Sequence, residues 1–273
     1  MKKVYDTINQ YCVEHELLTN GDGIVIGLSG GMDSVCLLQV LAALRNEWQL
    51  RLVCVHVHHG IRGTAADEDA AFAQRLAAKY NISFRLYEMD IPQLAKEQGL
   101  SEEEAGRNYR YRCFEEVRKE LNFDKIAVAH HRDDQAETVL WQILRGSGLR
   151  GVCGMRAGRA NIIRPLLCLD RQQIEQIVRG NGDGWREDAT NREEKYTRNK
   201  IRNRVFPYIE QEIQPMARRH LVELAEDCQR AWDYIERQML EQYERLVYRD
   251  GDTFCFSVDE WKQVDPYLQG QLL

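Results

Sequence analysis

The sequence lacks several features that would place it in other classes of protein. It contains no run of 18 apolar residues, which excludes a membrane-spanning helix. Its first six residues, Met-Lys-Lys-Val-Tyr-Asp, do not include the apolar core of a signal peptide. Eight cysteines are scattered along the chain and no two are spaced as Cys-x-x-Cys, so neither a zinc site nor an iron–sulfur site is indicated. We therefore expect a cytoplasmic protein whose cysteines are buried free thiols.

The acidic net charge conceals a basic region. The 273 residues are 44% hydrophobic and 29% charged, as in ordinary globular proteins, and suffice for one large domain and a smaller one. The net charge is −6, yet residues 141–219 contain 16 Lys and Arg against 9 Asp and Glu, a local charge of +7. The remainder therefore carries −13. The basic region predicts contact with a polyanion such as a nucleic acid, with a solvated helix surface as the alternative.

Apolar runs alternate with amphipathic segments through the first half of the chain. Strands are predicted at residues 23–28, 51–57, 82–89 and 125–129, and helices at 4–17, 35–44, 67–80, 101–121 and 133–144. This alternation indicates an α/β fold with a doubly wound, mostly parallel sheet, whose ligands bind at the carboxyl ends of the strands.

The pattern changes after Gly151. A short edge strand is predicted at residues 162–167, and Asp170 is predicted to cap the next helix. From Ile201 to about Tyr248 the pattern is helical with a break near Pro215. We therefore expect a catalytic domain over residues 1–214 and a helical C-terminal domain over residues 215–273. The final residues are typical of the start of an apolar helix, and we expect the chain to be a truncation.

The segment Ser29-Gly-Gly-Met-Asp-Ser34 is the most informative part of the chain. It joins the first strand to a helix, so that glycine N–H groups and the helix N-terminus can surround a phosphate. Gly30, Gly31 and Met32 form the turn, while Ser29 and Ser34 add hydroxyl donors. A carboxylate at Asp33 is consistent with Mg²⁺ held between protein and phosphate.

This loop differs from the two commonest phosphate-binding motifs. It lacks the Gly-Lys-Ser/Thr of the Walker motif and the G-x-G-x-x-G spacing of the dinucleotide fingerprint. It is similar to the SGGxDS loop of the ATP pyrophosphatases, enzymes that split ATP into AMP and pyrophosphate. A structural turn without a ligand is the alternative. The resemblance implies ATP and Mg²⁺ as cofactors.

Two further polar clusters follow predicted strands. His56 and His58 share one face at the end of the second strand, whereas His59 faces the other side. The histidines could pack against a nucleotide or bind a metal, with ordinary strand-end polarity as the alternative. Asp134 and Glu137 lie three residues apart on the helix after the fourth strand and therefore face the same side. A carboxylate pair at this edge predicts a site for a cation or an amine, with a solvated first helical turn as the alternative.

Several motifs together resemble one family of RNA-modifying ligases. The segments are SGGMDS, HVHHGIRG, EEAGRNYRYRCF, AHHRDDQAETVLWQILRGSGLRGVCGM, RPLL and GWREDATN followed by YTRNKIRNRVFP. They occur in the order seen in the tRNA(Ile)-lysidine synthase family, over roughly residues 20–210. GMP and NAD synthetases share the loop but not the run HHRDDQAET to LRGSGLRG. Thiolation enzymes with this loop use paired or catalytic cysteines. No cysteine of this sequence is suitably placed for either role.

The resemblance implies a two-step reaction on RNA. ATP adenylates the C2 oxygen of cytidine 34 in the CAU anticodon of tRNA(Ile), and diphosphate leaves. The ε-amine of L-lysine then displaces AMP to give lysidine, which changes the codon read from AUG to AUA. The chain would bind the anticodon arm of the tRNA, whereas the oligomeric state stays open, with a homodimer as one option.

The resemblance also implies roles for individual residues. Arg107 and Arg110 match a family block that clamps phosphate oxygens, although Gly106 replaces the usual alanine. Asp134, Glu137 and Arg202 match positions associated with lysine binding, and one of the carboxylates would accept the proton of the ε-ammonium group. The expected phosphate contacts to the tRNA come from the basic residues Arg192, Lys195, Arg198, Lys200 and Arg204.

Two departures from the family pattern stand out. His58 replaces a frequent asparagine, which leaves the nucleobase contacts open. The segment Gly182-Asp-Gly184 is unusually rich in glycine, and we expect it not to touch the chemistry. A tRNA thiolation enzyme and a protein that holds ATP without turnover are the alternative functions.

Overall fold

In the computed structural model, which describes residues 2–58, 64–186 and 197–272, the chain divides into two units. The first contains residues 1–135 and 156–203, and the second contains residues 136–155 and 204–273. The domain boundary predicted between residues 214 and 215 stays a prediction, since the second unit also takes in a segment from the middle of the chain.

The first unit is built on a six-stranded sheet. Its strands are β1 (Gly23–Gly27), β2 (Arg51–His58), β3 (Ser83–Glu88), β4 (Lys125–Ala127), β5 (Gly158–Arg159) and β6 (Ile162–Ile163). Its helices are α1 (Lys2–Glu14), α2 (Met32–Leu44), α3 (Thr64–Lys79), α4 (Ile91–Gln98), α5 (Glu102–Glu120), the start of α6 (Arg132–Leu144), a 3-10 turn (Pro165–Cys168), α8 (Arg171–Asn181) and α9 (Thr197–Lys200).

The order of the strands creates a crevice at the centre of the sheet. The order is β3-β2-β1-β4-β6-β5, with every neighbouring pair parallel except β5 and β6. The chain runs outward from β1 to β3 and then returns to place β4 on the other side of β1. The boundary between β1 and β4 is therefore the topological switch point, where ligands bind in doubly wound sheets.

Both faces of the sheet are covered by helices. Along β1, Ile24 and Ile26 face one apolar cluster, whereas Val25 between them faces a second cluster that includes Phe114 of α5. Each such side chain contributes about 1.5–3 kcal/mol when fully buried. This two-sided burial explains the continuous apolar run in the sequence and confirms the predicted doubly wound fold.

Most predicted elements of this unit are confirmed within a few residues, including the helix cap at Asp170. The Ser101 side chain accepts a hydrogen bond from Glu104 N–H (3.2 Å), and Asp170 forms a reciprocal capping box with Gln173. The strand predicted at residues 162–167 ends at Ile163, and its assignment as an edge strand is wrong because β6 pairs with both β4 and β5. Pro165 has no N–H to donate to a ladder, so the chain turns into the 3-10 helix instead.

The second unit is mainly helical. It contains the rest of α6, α7 (Leu149–Val152), a π-helical turn that begins in the first unit (Ile201–Val205), α10 (Phe206–Glu212), α11 (Ala217–Leu246), α12 (Val258–Trp261) and α13 (Pro266–Leu272). The expected break at Pro215 is confirmed, because α10 ends before it and α11 begins after it. Gln229 of α11 donates to the carbonyl oxygens of Cys153 (2.6 Å) and Met155 (3.1 Å).

A hairpin in this unit was not predicted. The antiparallel strands β7 (Val247–Asp250) and β8 (Thr253–Phe256) follow α11 directly, so the helix expected to reach about Tyr248 ends at Leu246. The turn contains Asp250-Gly251, a dipeptide typical of tight hairpins, and Gly251 has a positive φ of 59°. Among the residues that the structure describes, no helix is long and apolar enough to cross a membrane.

Candidate functional site

The loop after β1 directs its N–H groups inward. Ser29 and Gly30 N–H donate to Ser34 Oγ (3.2 and 3.1 Å), and Gly31 N–H donates to Ser29 Oγ (3.3 Å). Gly30 has a φ of 90°, which a residue with a side chain rarely adopts. Gly31 is the N-cap of α2 and has no side chain to occupy the N–H groups of the first helical turn. Met32 is buried at the start of the helix. The loop therefore has the geometry of an anion site.

Asp33 lies in the first turn of α2 and is incompletely satisfied. Its Oδ1 is buried and has no hydrogen-bond partner within the described part of the chain. Its Oδ2 lies 3.8 Å from Nε2 of His131. Burial raises the pKa of Asp33. The charge of Asp134 raises this pKa further, whereas the charge of His131 lowers it. A buried carboxylate oxygen without a donor is what a cation would satisfy.

The residues around Asp33 fit Mg²⁺ shared with a phosphate better than a cage made by protein alone. Among the described residues, no group of three or more His, Cys, Asp or Glu side chains could hold a metal. Mg²⁺ usually binds through one or two carboxylates together with substrate phosphates and water. One carboxylate beside a phosphate loop meets that requirement.

Asp134, in the first turn of α6, has the opposite environment. Its Oδ2 accepts from the N–H of His131 (3.0 Å), and its Oδ1 accepts from Nη2 of Arg198 (3.0 Å) and Nη2 of Arg202 (2.8 Å). Burial alone would raise the pKa of Asp134, but the charges of His131, Arg198 and Arg202 lower it to about 2. The carboxylate is therefore ionised at neutral pH and already holds two guanidinium groups.

His131 connects the ends of the two central strands. Its side chain is buried, and Nε2 lies 3.4 Å from Asp134 Oδ2 as well as 3.8 Å from Asp33 Oδ2. The neighbouring His130 is partly buried, and loss of solvation lowers its pKa to about 3. The predicted clusters after β1 and β4 are thus brought together at the switch point. His131 was not predicted individually, although its motif was.

Arg198 and Arg202 reach Asp134 from a helical segment. Arg198 lies in α9 and Arg202 lies one turn later in the π-helical turn, a geometry frequent at functional sites. Arg202 was expected to bind substrate, whereas Arg198 was expected to contact RNA phosphates. Lys200 lies between them and is exposed. Arg204 is also exposed.

Three further residues were expected to bind substrate: Arg192, Lys195 and Glu137. Arg192 and Lys195 lie outside the described residues, so their role stays a prediction. Glu137 lies one turn after Asp134 in α6, belongs to the second unit and is buried.

The two histidines of β2 have different surroundings. His56 is buried, and its Nδ1 lies 2.8 Å from the carbonyl oxygen of Leu28, so Nδ1 must carry the proton and donate. Burial lowers the pKa of His56, which keeps the ring neutral. Nε2 of His58 lies 3.3 Å from Asp67 Oδ1 at the start of α3. The expected nucleotide contact of both rings stays a prediction, and His59 lies outside the described residues.

Arg107 and Arg110 both lie on α5. Both are exposed, and the guanidinium of Arg107 lies 5.1 Å from the centre of the Tyr111 ring. Burial is the main cause of the lowered pKa of His130, and the positive charge of Arg107 lowers it further. In the same way, burial lowers the pKa of His56 and the positive charge of Arg110 adds to this effect. Both cations therefore act electrostatically on the site, whereas a phosphate clamp stays a prediction.

One contact to the phosphate loop had no signal in the sequence. The backbone N–H of Arg186 donates to the carbonyl oxygen of Gly30 (2.9 Å). Its side chain donates to Asp69 (2.7 Å) and Glu68 (2.8 Å) at the start of α3. Arg186 was noted only as part of a family motif, and its partners are more than 100 residues away in the chain.

Comparisons with known proteins agree with these observations. The PP-loop domain family matches residues 2–209. The tRNA(Ile)-lysidine synthase of Caldanaerobacter subterraneus subsp. tengcongensis is 41% identical over 278 residues, which cover 100% of this chain and 58% of that protein. The protein of the same name from Clostridium perfringens strain ATCC 13124 is 37% identical over 98% of this chain and 56% of its own length. The resemblance predicted from the motifs is confirmed, and the chain spans little more than half the length of these curated relatives.

A solved structure shares the fold. The U34-tRNA thiolase NcsA from Methanococcus maripaludis aligns with a TM-score of 0.67 over 83% of this chain and 77% of its own, at 18% identity. This likeness concerns the fold alone.

Proposed function

The chain belongs to the PP-loop domain family, and from this premise we propose that it carries the catalytic part of a tRNA(Ile)-lysidine synthase. The reaction would join L-lysine to C2 of cytidine 34 in tRNA(Ile) through an adenylated intermediate, with release of AMP and diphosphate. One observation carries the proposal most strongly. Asp33, whose Oδ1 accepts from no donor in the described part of the chain, lies beside a phosphate loop. Near it, Asp134 holds two arginines, a combination that suits a site for ATP and a zwitterionic amino acid.

The adenylation step would take place at the end of β1. The inward N–H groups of Ser29, Gly30 and Gly31, with the hydroxyl of Ser34, would hold the departing diphosphate. Asp33 would hold Mg²⁺, which when bound neutralises phosphate charge and makes the α-phosphorus more electrophilic. Arg107 and Arg110 would add positive charge near the α-phosphate. A neutral pyrimidine carbonyl is a weak nucleophile, so it needs this activation.

The lysine step would take place at the end of β4. With a pKa of about 2 and guanidinium groups on one of its oxygens, Asp134 is a poor proton acceptor at neutral pH. Its role would be to orient Arg202, whose guanidinium would bind the α-carboxylate of lysine. Glu137 is then the better candidate to bind the amine and accept its proton, so that the free amine can attack.

The RNA would bind through basic side chains outside this pair of carboxylates. Lys200 is exposed and lies between the two arginines in sequence. Arg192, Lys195 and Arg204 complete the proposed set, to which Arg198 contributes less because Asp134 neutralises it. Release of counterions from the anticodon arm would supply much of the affinity.

A tRNA thiolation enzyme, the alternative suggested by the loop, has less support. Burial raises the pKa of Cys12, Cys54 and Cys168 to about 12 and also raises that of Cys36. Such thiols stay protonated at neutral pH and are poor nucleophiles. None of the eight cysteines, all of which lie in the described part of the chain, forms a disulfide. The likeness to a thiolase concerns the fold alone.

The proposal is tested by incubating the protein with ATP, tRNA(Ile) transcript and radiolabelled lysine. We expect ATP-dependent incorporation of lysine into the RNA, lost when cytidine 34 is replaced by uridine. Formation of AMP that neither requires the RNA nor leads to labelled RNA would contradict the proposal. Transfer of sulfur from a thiol donor would favour the thiolation alternative.

A further inference from the structure

The segment of residues 181–186, here called the strap, is fixed at both ends within the first unit. It follows α8 and contains two glycines with positive φ, Gly182 (70°) and Gly184 (68°). Between them lies Asp183, whose side chain is only 1% exposed. The glycines allow the chain to turn sharply on either side of this buried carboxylate.

Asp183 is held by three donors, two at the end of α3 and one in α2. It accepts from the ammonium group of Lys79, from the hydroxyl of Tyr80 (2.5 Å) and from Nε2 of Gln39 (2.6 Å). Burial alone would raise its pKa, but these hydrogen bonds together lower it. Asn181 extends the cluster by donating to Gln39 Oε1 (3.0 Å). Because Gln39 belongs to α2, the strap is tied to the helix whose first turn carries Asp33.

The other end of the strap is fixed to the phosphate loop itself. Arg186 N–H donates to the carbonyl oxygen of Gly30, while its guanidinium pairs with Asp69 and Glu68 of α3. A Cβ built on Gly30 would lie 3.4 Å from Phe72 and 3.9 Å from Cγ of Arg186. Gly30 is therefore enclosed on the side from which Arg186 approaches.

This contact determines the orientation of one peptide group. In a trans peptide the carbonyl and the following N–H point in opposite directions. When Arg186 holds the Gly30 carbonyl, the N–H of Gly31 must point the other way, toward Ser29 Oγ inside the loop (3.3 Å). Without that hydrogen bond, a Gly-Gly peptide would rotate at little steric cost, and its N–H would be lost to a bound phosphate.

We infer that Asp183 and Arg186 are positioning residues, which hold the Gly30–Gly31 peptide in the orientation that binds phosphate. The identity of the phosphate as that of ATP rests on the proposed function. The expectation that residues 182–184 do not touch the chemistry stays a prediction, since the proposed role acts through the loop rather than on substrate.

The inference is tested with Arg186→Ala, Arg186→Lys and Asp183→Asn, and with Glu120→Gln as a matched control. Glu120 forms an exposed ion pair with Arg85 (3.0 Å) on α5 and β3, and has no part in the strap. We expect KM for ATP to rise about tenfold in Arg186→Ala and Asp183→Asn, the size expected for a lost charged hydrogen bond. In Arg186→Lys, KM for ATP should rise less than in Arg186→Ala. KM for lysine should be unchanged in all of these variants, and Glu120→Gln should keep the wild-type KM for ATP.

A second measurement needs no nucleotide and separates this inference from the proposed function. Hydrogen exchange at the Gly31 amide should be faster in Arg186→Ala and in Asp183→Asn than in the wild type, and unchanged in Glu120→Gln. The exchange rates are compared after correction for any difference in global stability between the variants. Wild-type exchange at Gly31 in Arg186→Ala, or an unchanged KM for ATP, would overturn the inference. If the wild type binds no ATP yet the variants exchange faster, the proposed function fails and the positioning role stands.

Discussion

The ends of β1 and β4 carry aspartates in equivalent places but opposite environments. Asp33 and Asp134 each lie in the first turn of the helix that follows a central parallel strand, and His131 lies within 3.8 Å of both. Asp33 keeps a buried oxygen that accepts from no donor among the described residues, and burial raises its pKa. Asp134 accepts from two arginines, and its pKa falls to about 2.

This difference separates two kinds of functional carboxylate. A carboxylate that the protein leaves unsatisfied is suited to a cation that arrives with the substrate, since binding then removes a cost of burial. A carboxylate that the protein saturates instead orients its cationic partners. The two strand ends therefore divide the work between a phosphate step at Asp33 and an amino-acid step at Asp134.

The largest expected effect comes from Asp33→Asn, which keeps the shape but removes the charge. We expect AMP formation to fall by at least about 100-fold, since a preorganised electrostatic contact to the reacting phosphate is lost. Release of diphosphate from labelled ATP measures this step. Asp252→Asn, in an exposed pair with Arg249 (3.2 Å) after β7, is the control. Near-normal AMP formation in Asp33→Asn would remove the distinction between the two carboxylates.

The second effect concerns the lysine step. Arg202→Lys keeps the charge but loses the planar fork, so we expect KM for lysine to rise about tenfold or more. Adenylation of the tRNA in the absence of lysine should be unchanged. Arg85→Lys at the exposed pair with Glu120 serves as the control. Equal losses in adenylation and in lysine use would show that the two strand ends do not act separately.

Stability should change in opposite directions at the two sites. We expect Asp134→Asn to lower the melting temperature by on the order of 5–10 °C, because removing one partner of a buried ion pair costs about 3–5 kcal/mol. Asp33→Asn should raise the melting temperature slightly. The pKa of Asp33 is raised, so its ionised form at neutral pH destabilises the folded state relative to the unfolded state. Thermal unfolding without ligands measures both. A fall in both variants would contradict the contrast.

The pH dependence of stability follows from the same difference. The pKa of Asp134 is lowered from 3.8 to about 2, so its contribution is full above pH 3.8 and is lost as the pH falls through about 2. The gap in stability between wild type and Asp134→Asn should therefore close on acidification. Acid titration of the free energy of unfolding measures this gap, and a constant gap would argue against the ion pairs.

The smallest effect concerns the RNA. Lys200→Ala should reduce the salt dependence of tRNA binding by about one unit in the log–log slope, because one phosphate contact is lost. Arg198→Ala should change the slope less, since Asp134 already neutralises that charge. Filter binding at several salt concentrations distinguishes them. A larger change for Arg198 would place it on the RNA rather than on Asp134.

Local sequence patterns predicted the positions of the site but not the partners of its residues. The strand endings that place Asp33, His56 and Asp134 follow from apolar runs and from the rule that parallel strands end at one edge. The arginines on Asp134 come from 64 and 68 residues further along the chain. Nothing in the periodicity of either segment records such a contact, so whether a carboxylate is saturated becomes visible only in three dimensions.

The same limit explains what was missed elsewhere. Asp183 looked like part of an ordinary glycine-rich turn, because its partners Gln39 and Lys79 lie more than 100 residues away. By contrast, the hairpin at β7 and β8 had a local signal in Asp250-Gly251, which a preceding helical pattern obscured.

The central claim is that the end of β1 holds ATP so that its α-phosphorus is attacked. Its most direct test is to identify the products of ATP labelled at the α and γ positions, with tRNA(Ile) present and with wild-type and Asp33→Asn protein. The account predicts RNA-dependent AMP and diphosphate from the wild type and neither from the variant. ADP and orthophosphate as the products would contradict it.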